Sequence, residues 1–293
     1  MIKQRRELLF LYSTKDANPN GDPLNDNHPR FDEETEQIQV SDVRIKRTVR
    51  DELVRTGETV FIDGKPKTLA SRYKELKQEM GTKDGRETMK KCIDSRLFGT
   101  TFAAGKKETF AWTGPVQFKW GRSLHKAKAQ LIQGTAAFTT KDGNEQRSFR
   151  NEYIVPYALI TTSAIVNQNA AENTGAEDAD IEKLKDALWN GTKNLLTRSK
   201  TEHRPVLLLE IKYKEGYNGH LGALEESITL RNKNGTELDN EEQLQIRSLK
   251  EFTLDLTELN NRIGAIKDNL ESLKMITDFQ LQITGMDIEK ENR

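Results

Sequence analysis

The sequence predicts an α+β fold, and three observations predict it. An apolar run near the N-terminus, LLFLYSTK (8–15), precedes an amphipathic stretch, SDVRIKRTVRDELVR (41–55). Strand-like runs fill the middle of the chain. A second amphipathic stretch, EDADIEKLKDALWNGTKNLL (177–196), then leads into another apolar run, PVLLLEIKYK (205–214). Strand, helix, strands, helix, strand is the order of a split β-α-β, ferredoxin-like sheet carrying long insertions.

Each element has a local reason. LLFLYSTK mixes apolar and aromatic residues with no helical stripe, which predicts a short buried strand. The next stretch, DANPNGDPLNDN (16–27), opens like an EF-hand loop, with Asp16, Asn18, Asn20, Gly21 and Asp22 at the first ligand positions and the glycine. Its last position is Asn27 where that motif needs a bidentate Glu, and it follows a strand, so calcium binding is rejected. In 41–55, Ser41 or Asp42 caps a helix that Gly57 ends, and Ile45, Val49 and Leu53 give the buried stripe. Arg44, Lys46, Arg47 and Arg50 are expected on the remaining arc. Cations near a helix start oppose the macrodipole unless they meet an anion, and a phosphate backbone would suit them.

Residues 57–92 are lysine-rich and poor in large apolar residues, which predicts an insertion outside the main core. IDSRLFGTTF (93–102) returns to apolar chain, and TFAWTGPVQFKW (109–120) predicts a strand broken at Gly114-Pro115. Residues 136–160 hold two strand-like runs around Asp142-Gly143, a hairpin signal, with Lys141, Arg147 and Arg150 near its tip and Phe149 as an apolar wedge. Further on, Asn234-Gly235 marks a turn, EFTLDL a strand, and 258–274 a final helix.

Composition narrows the function classes. At 293 residues the chain supports one elaborated core, and with 31% charged residues and a mean hydropathy of −0.77 it is very polar for its size. One cysteine, Cys92, excludes an intrachain disulfide and a CxxC zinc site. No apolar run approaches membrane-spanning length, so a soluble, cytoplasmic protein with no membrane partner is expected. Lys plus Arg and Asp plus Glu both total 46, yet the charges are segregated along the chain. Residues 109–141 contain no acid but hold Lys119, Arg122, Lys126, Lys128, Lys141 and His125, whereas 237–293 carry 13 acids and 7 bases.

Catalytic motifs are missing. There is no G-x-S-x-G, no Cys-His pairing near Cys92, and neither GxGxxG nor GxxxxGK[ST], so no cofactor is expected. His125, among cations, is expected to add a donor to an anion-binding surface rather than act as a base. Asp22 and Asp26 keep a metal-dependent endoribonuclease as the alternative, although aspartates in such a loop more often cap turns. The residues best support recognition of a single-stranded nucleic-acid backbone, with Arg and Lys on phosphates, Asn and Ser as neutral partners, and aromatics for stacking.

Six blocks in order, the N-terminal strand, DANPNGDP, SDVRIKRTVR, DSRLFG, TGPVQFKWGRSLH and a hairpin ending in YIVPYAL, resemble the backbone subunit of type I CRISPR Cascade complexes. This is the Cas seven family, most similar in its Csh-type variant of subtype I-B. The blocks cover about the first 160 residues, and the basic stretch before PVLLLEIKYK is compatible. The resemblance implies a modified RNA-recognition-motif palm (1–56 and 93–293), a helical fingers insertion (57–92) and a β-hairpin thumb (136–157). It implies a non-catalytic protein that binds the CRISPR guide RNA, polymerises with other copies of itself in a helical filament, contacts other Cascade subunits, and reaches target DNA through the guide. By motif, Lys46, Arg47 and Arg50 would hold guide phosphates beside Ser41 and Arg44. Asn18 and Asn20 match the polar loop after the first strand. Gln117, Lys119 and Arg122 lie before the thumb, and Arg147 and Arg150 lie within it.

Overall fold

The computed structural model describes residues 1–103, 109–135, 149–286, 288 and 290–292. Strand Arg6–Ala17 lies between Phe149–Val166 and His203–Tyr213, antiparallel to both. The sheet continues on one side through Gly121–Ser123 and Gln37–Val40, and on the other through Leu270–Thr277. The fold is therefore mixed α and β around a largely antiparallel sheet.

Alternation along the first strand explains its unbroken apolar run. Leu8, Phe10 and Tyr12 point to the core under helices Asp42–Arg55 and Asp178–Lys193, whereas Leu9 and Leu11 point to a second core with Leu224, Leu254, Leu256 and Leu259. With both faces covered, neither set can be polar. On the first helix Ile45, Val49 and Leu53 are buried as the spacing predicts, and Ser41 is the N-cap, its Oγ accepting from Arg44 N. The two helices approach closely at Gly191, where an added Cβ would lie 3.0 Å from both Thr48 O and Glu52 Cβ.

Leu76, Met89, Cys92 and Phe102 build a small core of their own, flanked by Phe110 and Trp112. The paired strands Gly99–Ala103 and Thr109–Thr113 pack their aromatic side chains onto this cluster beside helices Leu69–Met80 and Gly85–Lys91. Burial, with Asp94 adding to it, pushes the Cys92 thiol up to about 12, so it is a packed thiol. Among the described residues no helix is long and apolar enough to cross a membrane.

Two expectations change. The expected final helix, 258–274, stops at Ala265, and Leu270–Thr277 is instead a strand against His203–Tyr213. The reason is tertiary: an edge of the central sheet needs a partner there, and LESLKMIT buries Met275 and Thr277 at strand spacing. The hairpin strands are Gln130–Thr135 and the start of Phe149–Val166, which runs on without interruption for 18 residues into the central sheet. The tip, including Lys141, Asp142, Gly143 and Arg147, lies outside the described residues.

Candidate nucleic-acid interface

One end of the central sheet gathers the polar loop, the start of the first helix and the base of the hairpin. Ala17 pairs with Val155 and Thr14 with His203, so the loop that follows Ala17 leaves the sheet where the hairpin arm enters it. The loop is held from inside. Asn20 Oδ1 accepts from Ser41 N (2.8 Å) and Ser41 Oγ (3.0 Å), and Asn18 Nδ2 donates to Asn27 O (2.7 Å). Both asparagines are buried, so Asn20 fixes the helix cap and Asn18 fixes the loop. The aspartates act similarly: Asp22 Oδ1 accepts from Leu24 N and from Arg30, both at 3.2 Å, and Asp26 has a left-handed backbone. No group of three or more His, Cys, Asp or Glu side chains that could hold a metal ion occurs among the described residues.

The four helix cations differ from one another. Lys46 Nζ bonds Asp42 (2.9 Å), and Arg47 bonds Asp51 and the carbonyls of Ile62 and Asp63. These are i,i+4 pairs whose spacing is visible in the sequence. Arg50 was expected on the exposed arc and is instead buried. Its Nε donates to Asp94 (2.8 Å), itself only 1% exposed, and its guanidinium lies 5.2 Å from the Phe98 ring centroid. Asp94 also accepts from Phe61 N (2.6 Å) and Ile62 N (3.2 Å), so this pair ties the helix to the inserted segment. No local sequence pattern could have announced it, because the partner lies in DSRLFG, 44 positions away. Among the described residues Arg44 alone of the four has no carboxylate partner; it donates to Thr48 Oγ1 (2.9 Å), and its Nε is buried with no hydrogen bond to them.

The acid-free segment is neutralised in space by acids from elsewhere. Lys119 pairs with Glu225, Arg122 with Asp32 (2.7 Å), and Lys126 and Lys128 with Glu36 (3.0 and 3.1 Å). The Arg122 hydrogen bond, with backbone bonds from Thr35 and Glu34, holds the Asp32 carboxyl below the usual carboxylate range; the Lys126 and then the Lys128 hydrogen bonds do the same for Glu36. Lys119 and Arg122 remain about half exposed and line one recess with Trp120, also about half exposed. Gln117 turns to the carbonyls of Gly114 (3.0 Å) and Phe98 (3.4 Å). Arg147 lies outside the described residues, and of Arg150 only the backbone is described, opposite Gly134.

His125 is not on a binding surface. It is buried, its Nδ1 is 2.8 Å from Lys126 O and 3.2 Å from Gln243 O, and its Nε2 accepts from Leu159 N (3.1 Å). That geometry fixes the neutral Nδ1-H tautomer, and burial pulls its pKa down to about 4. Residues 197–204, the basic stretch before PVLLLEIKYK, received no individual site residue from the sequence. Thr197 and Lys200 close a tight turn through reciprocal bonds of 3.1 Å, Lys15 N donates to Glu202 O and Asn18 N to Ser199 O (2.8 Å), so the turn runs beside the polar loop.

Comparison with known proteins agrees across nearly the whole chain. The family model described as CRISPR-associated protein Cas7 matches residues 4–257. A CRISPR-associated protein Cas7 of Haloferax volcanii is 31% identical over 309 aligned positions, covering 95% of this chain and 88% of that protein. Two solved chains share the fold. One, from a CRISPR RNA-guided surveillance complex described as pre-nicking, superposes with a TM-score of 0.59 at 15% identity, covering 99% of this chain and 96% of its own length. The other, from a CRISPR RNA-guided surveillance complex, gives 0.55 at 16% identity, covering 99% and 95%.

Proposed function

The chain belongs to the CRISPR-associated Cas7 family, and from that premise we propose that it is the guide-RNA-binding backbone subunit of a type I interference complex. The identity to the Haloferax protein over 95% of this chain carries the reading, because it leaves no large part of the chain for another activity. The protein binds no cofactor and performs no chemistry. It holds the guide with bases available, so that pairing to target DNA supplies the sequence specificity. Other copies of the chain and other subunits of the complex are its protein partners. The relationship to a Haloferax protein fits the Csh-type, subtype I-B assignment.

Within that reading the central sheet and its two helices form the RNA-recognition-motif palm, supported by the place of Arg6–Ala17 between Phe149–Val166 and His203–Tyr213, the order of a split β-α-β sheet. Residues 57–92 form the fingers, and the hairpin of 136–157, extended back to Gln130, the thumb. The RNA crosses the end of the sheet where loop, helix start and hairpin base meet. Lys46, Arg47, Lys119 and Arg122 reach it by exchanging a carboxylate for a phosphate, which is inexpensive for partly exposed pairs. Arg147 and Arg150 of the thumb contact it as well. Asn18, Asn20 and Ser41 contribute by fixing the loop and the cap, Gln117 by bracing Gly114, and Arg50 by anchoring the helix. Nothing favours the endoribonuclease, since Asp22 is engaged by Arg30 and by the Leu24 amide.

Co-expression with a CRISPR array tests this. Purified protein is expected to carry processed guide RNA in a multi-copy particle; protein that purifies free of RNA would overturn the assignment.

A further inference from the structure

Charge at the helix start is uncompensated at one place. Of the helix cations, Arg44 has no ion-pair partner, and neither does Lys200 on the turn beside it, among the described residues. His203 sits on the adjoining strand, directly opposite Thr14, with its ring stacked on Tyr12 at 5.8 Å. Arg44, His203, Tyr12, Thr48 and Thr192 line one recess between sheet and helix. The buried polar atoms here are orphaned: Arg44 Nε, both ring nitrogens of His203, Thr14 Oγ1 and Asn18 Oδ1 all lack a protein hydrogen bond. His203 is 8% exposed.

Such an arrangement is unfavourable by itself. Burial first, then the Lys200 and Arg44 charges, hold the His203 imidazole down to about 3, and burial followed by Arg44 lowers the Lys200 ammonium. Elsewhere in this molecule half-buried cations are met by carboxylates, as Lys46 is by Asp42 and Arg72 by Asp63. A site with two cations, unspent donors and no carboxylate in contact among the described residues, the nearby Asp51 being taken up by Arg47, is complementary to an anion. The end of the sheet at which it lies is the one the polar loop, helix cap and hairpin base share.

We propose that Arg44, Lys200 and His203 form a cradle for one phosphodiester of the RNA strand, which makes the turn 197–204 the wall of the binding groove opposite the helix. This rests on the function proposed above and adds to it a second wall and residues outside the basic helix. Arg44 and Lys200 supply charge to the same phosphate. The neutral imidazole supplies one N–H, and its stacking on Tyr12 sets the ring's direction. An anion held there gives the Arg44 Nε and the imidazole N–H the acceptor that the protein does not provide.

The test is the salt dependence of binding of a labelled single-stranded RNA oligonucleotide to the full-length protein, freed of guide RNA. Arg44→Gln and Lys200→Ala are each expected to lower the slope of log K against log salt by up to about 0.7, the value of one phosphate on a single strand. The double variant is expected to lose no more than about 0.7 in total, since the phosphate is shared. His203→Phe keeps the ring stack and removes the donor, so it weakens binding at least roughly tenfold with an unchanged slope. Lys200→Arg restores the slope, and Lys3→Ala, at the far end of the first strand, matches wild type. Circular dichroism melts confirm that each variant is folded. Wild-type slopes in Arg44→Gln and Lys200→Ala, or a double variant that loses about 1.4, overturn the cradle while leaving the family function standing. Wild-type protein that binds no RNA overturns the function itself.

Discussion

Removal of Arg50 gives the sharpest separation between a cation that binds RNA and one that holds the fold. Arg50→Met keeps the length and apolar packing of the side chain against Phe98 and deletes the charge. It leaves Asp94, 1% exposed, with only the Phe61 and Ile62 amides as donors. Breaking one side of a buried pair costs about 3–5 kcal/mol, and the two surviving backbone donors place this case near about 3 kcal/mol. Asp94→Ala is worse, because it strands the guanidinium and two amides, the amides at about 1–3 kcal/mol each. The double variant should be less unstable than the sum of the two singles by about 2 kcal/mol, the coupling expected of groups in direct contact. Urea unfolding followed by fluorescence measures all three, and Lys183→Ala, whose half-exposed ammonium pairs with Glu58, is the surface control at less than about 1 kcal/mol. Arg50→Glu would set a second carboxylate against buried Asp94 and is expected to unfold the protein, so loss of RNA from that variant would not report on RNA binding. An Arg50→Met loss under about 1 kcal/mol, or additive singles, would refute the argument.

His125 is neutral in the fold with its pKa near 4, against 6.5 when unfolded. The unfolded chain therefore binds more protons as pH drops below about 6.5, so the His125 contribution falls from there to about 4 by about 3 kcal/mol; His203, held down to about 3, adds a parallel loss, so His125→Phe should remove about half of the slope in a stability-pH profile measured in urea. Glu210 behaves differently. Burial acts to raise its carboxyl, but Lys185 and then Arg6 outweigh it, so its contribution is full above the unfolded carboxylate range and is lost as pH falls through its lowered folded value; Glu210→Gln should remove that acid-side component. Gly114→Ala would place a Cβ 2.3 Å from Gly99 N and Leu97 O, a clash with backbone that cannot give way. It should lower stability by about 1–3 kcal/mol, whereas Gly134→Ala, with nothing within 4 Å, should be near neutral in the same melts.

The elements that the sequence made legible are those with strong local grammar. The helix 42–55 announces itself by Ser41, its Ile45-Val49-Leu53 stripe and Gly57, and the structure caps and ends it within one residue of those marks. The first strand was legible because it is buried on both faces and so carries no polar alternation. Residues 270–277 were not, since LESLKMIT has comparable helix and strand propensity and its state is decided by the edge of a strand about sixty residues earlier. The polar loop misled in a different way. Its asparagines look like surface hydrogen-bonding groups, yet Asn20 is 8% exposed and spends its carbonyl oxygen on Ser41, an interaction between residues 21 positions apart that no turn rule contains.

Charge was the least legible property, and it bears most on function. Residues 109–141 contain no acid, but folding brings Asp32, Glu36 and Glu225 onto their cations, so an apparently basic ribbon becomes a row of ion pairs. A bound RNA must then compete with carboxylates for Lys119, Arg122, Lys126 and Lys128, and each exchange returns little net free energy because one anion replaces another. Among the described residues Arg44 and Lys200 have no carboxylate to surrender. The number of cations near a groove therefore overstates its grip on a phosphate backbone, and the binding free energy concentrates where the fold has left a cation without a partner. That distribution is also consistent with a formal net charge of zero: a balanced total limits the repulsion between copies that an excess of basic residues would create, while positive charge without a contacting carboxylate among the described residues stays beside the polar loop and helix cap, where the proposed groove lies.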